Sequence, residues 1–315
     1  MNFVEEAVLF SLGDDCLPGI VARPQTPLAD ARAKRGEEAA PAGLVNGSST
    51  DRLGDTRQHR ASCGVLIVVG GPQVRVGSHR QFLLLSRRLA SEGYPAMRFD
   101  CRGMGDASGA MRSFEEISAD IGAAIEAFQR SCPTLRRVVL WGLCDAASAA
   151  LLYVQATADE RISGLALLNP WVRSETSLAQ THIKHYYGQR LLEGEFWRKL
   201  LSGKLEILAS LRGLLNTVLL ARRSRPQRTA DMLSFQDRMA EGWRRFSGGL
   251  LLVLSGQDYT AKEFLEFTAT NPAWTGLIEQ ARVRRIDLAD ADHTFSSRAW
   301  RAQVEEETLA WLDTL

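Results

Sequence analysis

Val138-Val139-Leu140-Trp141-Gly142-Leu143-Cys144-Asp145-Ala146-Ala147-Ser148 is the stretch whose reading decides the fold. A short β-branched and apolar run ends at Trp141, a glycine follows, and Cys144 then stands ahead of an alanine-rich segment of strong helix formers. The pattern predicts a strand, a sharp turn and a helix.

Inside it, Gly142-Leu143-Cys144-Asp145-Ala146 has the spacing of G-x-S-x-G, with cysteine for serine and alanine for the second glycine. In that motif a nucleophile occupies a strained strand-to-helix turn, and small neighbours let the turn close. A buried core cysteine fits the same five residues equally well, since free cysteine is among the most buried residue types. The rest of the chain must decide, by supplying or lacking an acid, a histidine and amide donors.

Upstream, Glu5 to Ser11 and Cys16 to Val21 flank Gly13-Asp14-Asp15 and predict a β-hairpin. From about 23 to 62 the chain turns to prolines, alanines, charges and Asn46-Gly47-Ser48-Ser49-Thr50, too poor in large apolar residues to offset its ordering entropy. This reads as a flexible insertion, with His59 solvated and without a role. Gly64 to Val69 is fully apolar, as suits a parallel strand covered on both faces. Gly70-Gly71-Pro72-Gln73 ends it, and Ser78 to Glu92 predicts a helix with Phe82, Leu85 and Leu89 on one side. Tyr94 to Phe99 is the next strand. Ser113 and Glu116 have capping-box spacing ahead of a helix carrying Ile117, Ile121, Ile125 and Phe128.

Downstream of the elbow, Ile162 to Leu168 is a strand ending at Asn169-Pro170-Trp171. Strand alternating with helix over this length gives an α/β fold with a mainly parallel, doubly wound sheet. Residues 171–246 break the rhythm with helical pattern alone and carry 14 Lys and Arg against 7 Asp and Glu. An all-helical insertion between sheet strands reads as a lid over a pocket. Its basic excess suits an anionic or carrier-linked substrate or a peripheral membrane contact, although a solvated face explains most of the individual charges. Gly249 to Gly256 returns to buried-strand pattern and delivers Asp258, Val283 to Leu288 is a last strand ahead of His293, and a helix near Trp300 to Leu312 closes the chain. The domains expected are 1–170 and 247–315 as two parts of one core, with 171–246 as the lid.

Composition narrows the class. At 315 residues the chain can bury a large core, and a net charge of +1 gives no global pull toward nucleic acid. The start Met1-Asn2-Phe3-Val4-Glu5-Glu6 is no secretory signal, and no uncharged stretch reaches membrane-spanning length, so a cytoplasmic location is expected. Cys16, Cys63, Cys101, Cys132 and Cys144 are odd in number and lack C-x-x-C spacing, which suits reduced thiols and no zinc site.

In an open parallel sheet, ligands bind beyond the carboxyl ends of the strands. The Gly70-Gly71 turn, Cys144, Asp258 and His293 all fall in such loops, in the order nucleophile, acid, histidine. That order favours a reactive Cys144 over a buried thiol. Asp292 adjoins His293, but sequence neighbours seldom bring carboxylate and imidazole into that geometry, so Asp258 is preferred. One oxyanion donor should be the amide of Asp145, and the second should come from Gly71 or Gln73, because Pro72 has no N–H. Arg75, His79 and Arg102 are candidates to meet an anionic substrate, with ordinary structural pairing the competing reading for the arginines. His182 and His185 are three apart with no third ligand, and Gly103-Met104-Gly105 lacks the third glycine of a dinucleotide fingerprint, so neither a metal nor a cofactor is implied.

On these residues the chain resembles the α/β-hydrolases. More narrowly, Gly70 to Arg80, Arg98 to Asp106, Leu140 to Ala150, Asn169 to Arg173 and Asp290 to Phe295 resemble hydrolase 1 of the exosortase A system-associated group, bacterial proteins encoded beside protein-sorting and exopolysaccharide machinery. The likeness spans nearly the whole chain except the segment after Arg23. It implies an α/β-hydrolase fold with a helical lid and a Cys144-His293-Asp258 triad, and it leaves the substrate open. The cysteine is similar to that of dienelactone hydrolase, whose Cys-His-Asp triad shares the broad fold. The expected activity is hydrolysis of an ester or thioester through an acyl-enzyme. An acyltransferase using the same triad and a non-catalytic adaptor that docks on membrane or partner are the rival readings.

Overall fold

The computed structural model describes residues 3–25, 56, 58–71, 73–173 and 233–315. The chain divides into one unit of Met1–Trp171 with Phe235–Leu315 and another of Val172–Ser234; every element below belongs to the first. Most of the insertion expected at 23–62, and the expected lid as far as residue 232 with His182 and His185, lie outside the described residues.

Eight strands form one sheet: β1 (Phe3–Leu12), β2 (Asp15–Pro24), β3 (Cys63–Val68), β4 (Ala96–Phe99), β5 (Arg137–Leu143), β6 (Ile162–Leu168), β7 (Gly249–Ser255) and β8 (Val283–Leu288). Their order is β1-β2-β4-β3-β5-β6-β7-β8. The β1–β2 hairpin is antiparallel and adds antiparallel to β4, while every pairing from β4 through β8 is parallel. Among the described residues six α-helices accompany them: α1 (Gln81–Ser91), α2 (Ser118–Ser131), α3 (Asp145–Thr157), α4 (Phe235–Arg245), α5 (Tyr259–Thr270) and α6 (Arg298–Leu312).

The unbroken apolar runs of β3, β5 and β6 exist because both faces are covered. Alternate residues Val65, Ile67, Val139, Trp141, Ala166, Leu168, Leu251 and Val253 meet Phe82, Leu85 and Leu89 of α1 and Trp311 and Leu312 of α6. The residues between them, Leu66, Leu140, Leu167 and Leu252, are fully buried on the opposite face, against which α2 and α3 pack. Each such side chain contributes about 1.5–3 kcal/mol of burial. This two-sided core holds the carboxyl ends of β3, β5, β7 and β8 in one rigid row.

Four boundaries differ from the sequence reading. The helix expected from Ser78 starts at Gln81, because His79 (φ 53°) and Arg80 (φ 62°) are left-handed and cannot continue a right-handed helix. Ser113 donates to the Glu116 carboxylate from its amide at 3.1 Å and its hydroxyl at 2.9 Å, but that closes a turn and α2 begins later, at Ser118. Helix α4, assigned by sequence to the lid, groups with the sheet. Its Met239, Ala240 and Trp243 are buried in the core, and Trp243 donates from Nε1 to the Leu277 carbonyl at 2.9 Å. His59 is exposed yet partnered, for the Arg137 guanidinium donates to its Nε2 at 2.8 Å. Next to it, Arg60 bonds the Glu92 carbonyl at 2.8 Å and the Asp313 carboxylate, tying the end of the presumed insertion to the core.

Candidate active site

The turn after β5 puts Cys144 at φ 63° and ψ −124°, a conformation that costs a non-glycine residue about 1–3 kcal/mol. Local packing over-determines it. The Cys144 amide donates to the Leu168 carbonyl at 2.8 Å, and its own carbonyl accepts from Ala147 at 3.1 Å and Trp171 at 3.3 Å. A Cβ on Gly142 would press into the backbone of Ala146 and Ala147, so that position must be glycine for strand and helix to close. Ala146, at the second small position, is fully buried. Cys63, Cys101 and Cys132 are buried and Cys16 is exposed, whereas Cys144 is half-buried at the top of the strand.

Beyond β7, Asp258 is the N-cap of α5. Its Oδ1 accepts from the Thr260 amide at 3.0 Å and its Oδ2 from the Ala261 amide at 3.3 Å. The same Oδ2 lies 2.8 Å from Nδ1 of His293, which arrives on the loop after β8. The helix amides thus fix a buried carboxylate against one face of the imidazole edge, leaving Nε2 for the other side. Hydrogen bonding to Asp258 first, and to Cys144 second, pushes the His293 pKa up to about 10 against the opposing effect of burial. Asp292 is engaged elsewhere, accepting from the Thr294 amide at 3.2 Å, the Ser296 amide at 2.9 Å and the Ser296 hydroxyl.

Asn169, at the end of β6, joins these loops. It is fully buried and left-handed at φ 43°, a region Asn tolerates better than most residues. Its Nδ2 donates to Ser255 Oγ at 2.9 Å and to the His293 carbonyl at 3.1 Å, and its Oδ1 accepts from the Ser255 amide at 2.8 Å. Ser255 Oγ in turn donates to the Asp292 carbonyl at 2.9 Å. Sequence reasoning singled out Asn169 only within a resemblance. Its composition signal, a lone Asn at the end of an apolar strand, is the kind that marks either a turn or a buried bridge.

The residues expected to supply oxyanion donors meet each other. Asp145 Oδ2 accepts from the Gly71 amide at 2.7 Å, and a Cβ on Gly70 would collide with the same carboxyl. Gly71 adopts φ 58°, which suits glycine. Burial pushes the Asp145 carboxyl up, while the amides of Gly71, Ala146 and Asp145 itself and the charge of His293 pull it back. The Gln73 side chain has a buried Oε1 with no hydrogen-bond partner.

Arg75 and Arg102, weighed between an anionic substrate and ordinary structural pairing, are both engaged in ion pairs. Arg75 is bound to Asp100 and, at 2.7 Å, to Asp106. Arg102 donates to Asp120 at 2.8 Å through Nη2, with its backbone amide donating to the same side chain at 2.9 Å. Asp100 and Asp120 are both fully buried, so removing either arginine would strand a charge. His79 is exposed on its left-handed turn. Among the described residues, no group of three or more His, Cys, Asp or Glu side chains could hold a metal ion, and no helix is long and apolar enough to cross a membrane.

The profile described as the alpha/beta hydrolase family matches residues 65–306. An esterase of Pyrococcus furiosus is 14% identical with a TM-score of 0.58, covering 99% of this chain and 91% of its own. An acylaminoacyl peptidase of Pyrococcus horikoshii is 17% identical with a TM-score of 0.57, covering 99% of this chain and 41% of its own. An alpha-beta serine hydrolase homologue of Coxiella burnetii is 12% identical with a TM-score of 0.51, covering 98% and 97%. At these identities the likeness is one of fold. No curated protein matches the sequence. A match over most of the chain, on a sheet of this order with a strained turn at its centre, makes the chain a member of the alpha/beta hydrolase family.

Proposed function

We propose that this protein is a cofactor-independent cysteine hydrolase that cleaves an ester or thioester through a Cys144-His293-Asp258 triad. The observation that carries the proposal is the imidazole of His293, bonded through Nδ1 to Asp258 at 2.8 Å and near enough to Cys144 for that side chain to help raise its pKa. Such an arrangement is what a nucleophile, a proton carrier and an orienting carboxylate require. With the proton already held on His293 between Asp258 and Cys144, the sulfur of Cys144 bonds to the acyl carbon. The leaving alkoxide or thiolate departs with that proton. Water then gives a proton to His293, its oxygen bonds to the acyl carbon, and the carbon–sulfur bond breaks, which restores the free sulfur of Cys144 beside protonated His293.

A thiolate is itself a good leaving group, so activated esters and thioesters suit this site better than amides. The esterase name of the Pyrococcus furiosus relative supports the same substrate class. The resemblance to exosortase A system-associated hydrolases supports a substrate tied to protein sorting or exopolysaccharide export. The test is brief incubation with an activated acyl ester followed by peptide mass spectrometry. An acyl adduct on Cys144, missing from Cys144→Ala, is expected. Full hydrolysis by Cys144→Ala would overturn the assignment.

A further inference from the structure

The carboxyl of Asp145 sits on the amide that would receive an acyl oxyanion. Gly71 N–H lies in the loop after β3 and donates to Asp145 Oδ2 at 2.7 Å. The amide of Asp145, the other donor expected for the hole, also lowers that carboxyl's pKa, as does the amide of Ala146. Gly70 has no Cβ, and any side chain there would collide with the carboxyl, so the loop is shaped around it. A serine or a large apolar residue after the nucleophile would leave Gly71 N–H free. An aspartate in the first turn of α3 fills the space with an oxygen of the enzyme's own.

We propose that Asp145 is a further catalytic residue, whose carboxyl occupies the oxyanion site at rest and must be in its neutral form for an acyl group to react. The proposal rests on the hydrolase reading above. An ionised carboxylate there would face the developing alkoxide with a like charge in a half-buried site, where electrostatic interactions exceed their strength in water. A neutral carboxyl removes that repulsion and brings an O–H able to donate to the oxyanion.

Among the described residues, His293, Cys144 and Cys101 are the titratable groups set against Asp145. His293 faces it from the loop after β8 and favours its ionised form. Cys144 adjoins it on the same turn. Cys101, from the loop after β4 with Asp100 beside it, is buried and has its thiol pushed up, first by burial and then by Asp120, Asp100 and Asp145. The loop after β3 brings the backbone of Gly70 and Gly71 against the carboxyl. Burial outweighs the amides and His293 and holds the Asp145 carboxyl above its ordinary value. Activity therefore falls as pH rises through that raised value.

The experiment measures the rate of Cys144 acylation by an activated acyl ester against pH in the wild type, Asp145→Asn and Asp145→Ala, with thermal unfolding of each. Asparagine keeps shape and hydrogen bonding without charge; alanine frees Gly71 N–H. Both variants are expected to lose the falling limb and to acylate about 10- to 100-fold faster than wild type at alkaline pH, the scale on which single oxyanion donors act. Profiles that superimpose, or variants slower at every pH, would overturn the proposal while leaving the hydrolase reading intact. No adduct on Cys144 in any of the three proteins would overturn both.

Discussion

Nδ1 of His293 stands 2.8 Å from Oδ2 of Asp258 across 35 positions of sequence, and the same carboxylate oxygen caps a helix. One side chain therefore ends β7, starts α5 and fixes the imidazole tautomer. Asp258→Asn should keep the cap, since Asn is as good an N-cap as Asp. It should nonetheless lower the acylation rate by roughly 10²- to 10⁴-fold, because an amide presents the wrong partner to Nδ1–H. Stopped-flow acylation with unfolding midpoints checks this; a rate within threefold of wild type, about 0.7 kcal/mol, would exclude Asp258 from the reaction.

The core was legible because buried parallel strands are written as unbroken apolar runs, and Val138 to Leu143 with its alanine-rich follower could hardly be anything but strand, turn and helix. The positions of Asp258 and His293 just past strand ends were legible for the same reason. Contacts that no periodicity encodes were not. The bond between Asp145 and Gly71 spans 74 positions, and the bridge from Asn169 to His293 spans 124. Left-handed His79 and Arg80 carry no glycine to mark them, so the start of α1 looked longer than it is. Helix α4 resembled its basic surroundings in composition, and what ties it to the core is its burial of Met239, Ala240 and Trp243.

Asn169→Ala should act on the His293 loop without touching the reacting atoms. It strands the buried Ser255 amide and frees the His293 carbonyl, which costs about 1–3 kcal/mol for the unsatisfied group. Asn169→Asp retains an acceptor for Ser255 but cannot donate to His293. If Asn169 positions the loop, both variants slow acylation and leave the KM for ester nearly unchanged. A loss confined to the unfolding midpoint would reduce its role to packing.

Protonation of His293 should make stability fall with pH in the alkaline range. The folded value is raised to about 10 from an ordinary 6.5, chiefly by Asp258, so between those values the folded chain holds a proton that the unfolded chain has released. The stabilisation is complete below 6.5, declines above it and is gone above 10. The imidazole is partly exposed, so solvent screening keeps the effect modest. Urea midpoints at neutral pH and near 10 should drop more for wild type than for His293→Gln, after subtraction of the common background. Equal drops would mean that the pair is not charged when folded.

The two small positions of the elbow should respond in opposite ways. A methyl on Gly142 meets the carbonyl carbon and oxygen of Ala146 at 2.6 Å and the Ala147 amide nitrogen at 2.7 Å, all backbone of α3 that cannot yield without moving Cys144. Gly142→Ala should therefore cost about 1–3 kcal/mol as an overpacked site and remove acylation, because the sulfur leaves its place beside His293. Ala146→Gly enlarges the same junction, costs about 0.5–1 kcal/mol as a helical glycine and leaves the turn its room, so acylation should persist. Paired measurements of midpoint and acylation rate separate the outcomes. Should Gly142→Ala acylate at the wild-type rate, the strained turn would not be what aims Cys144.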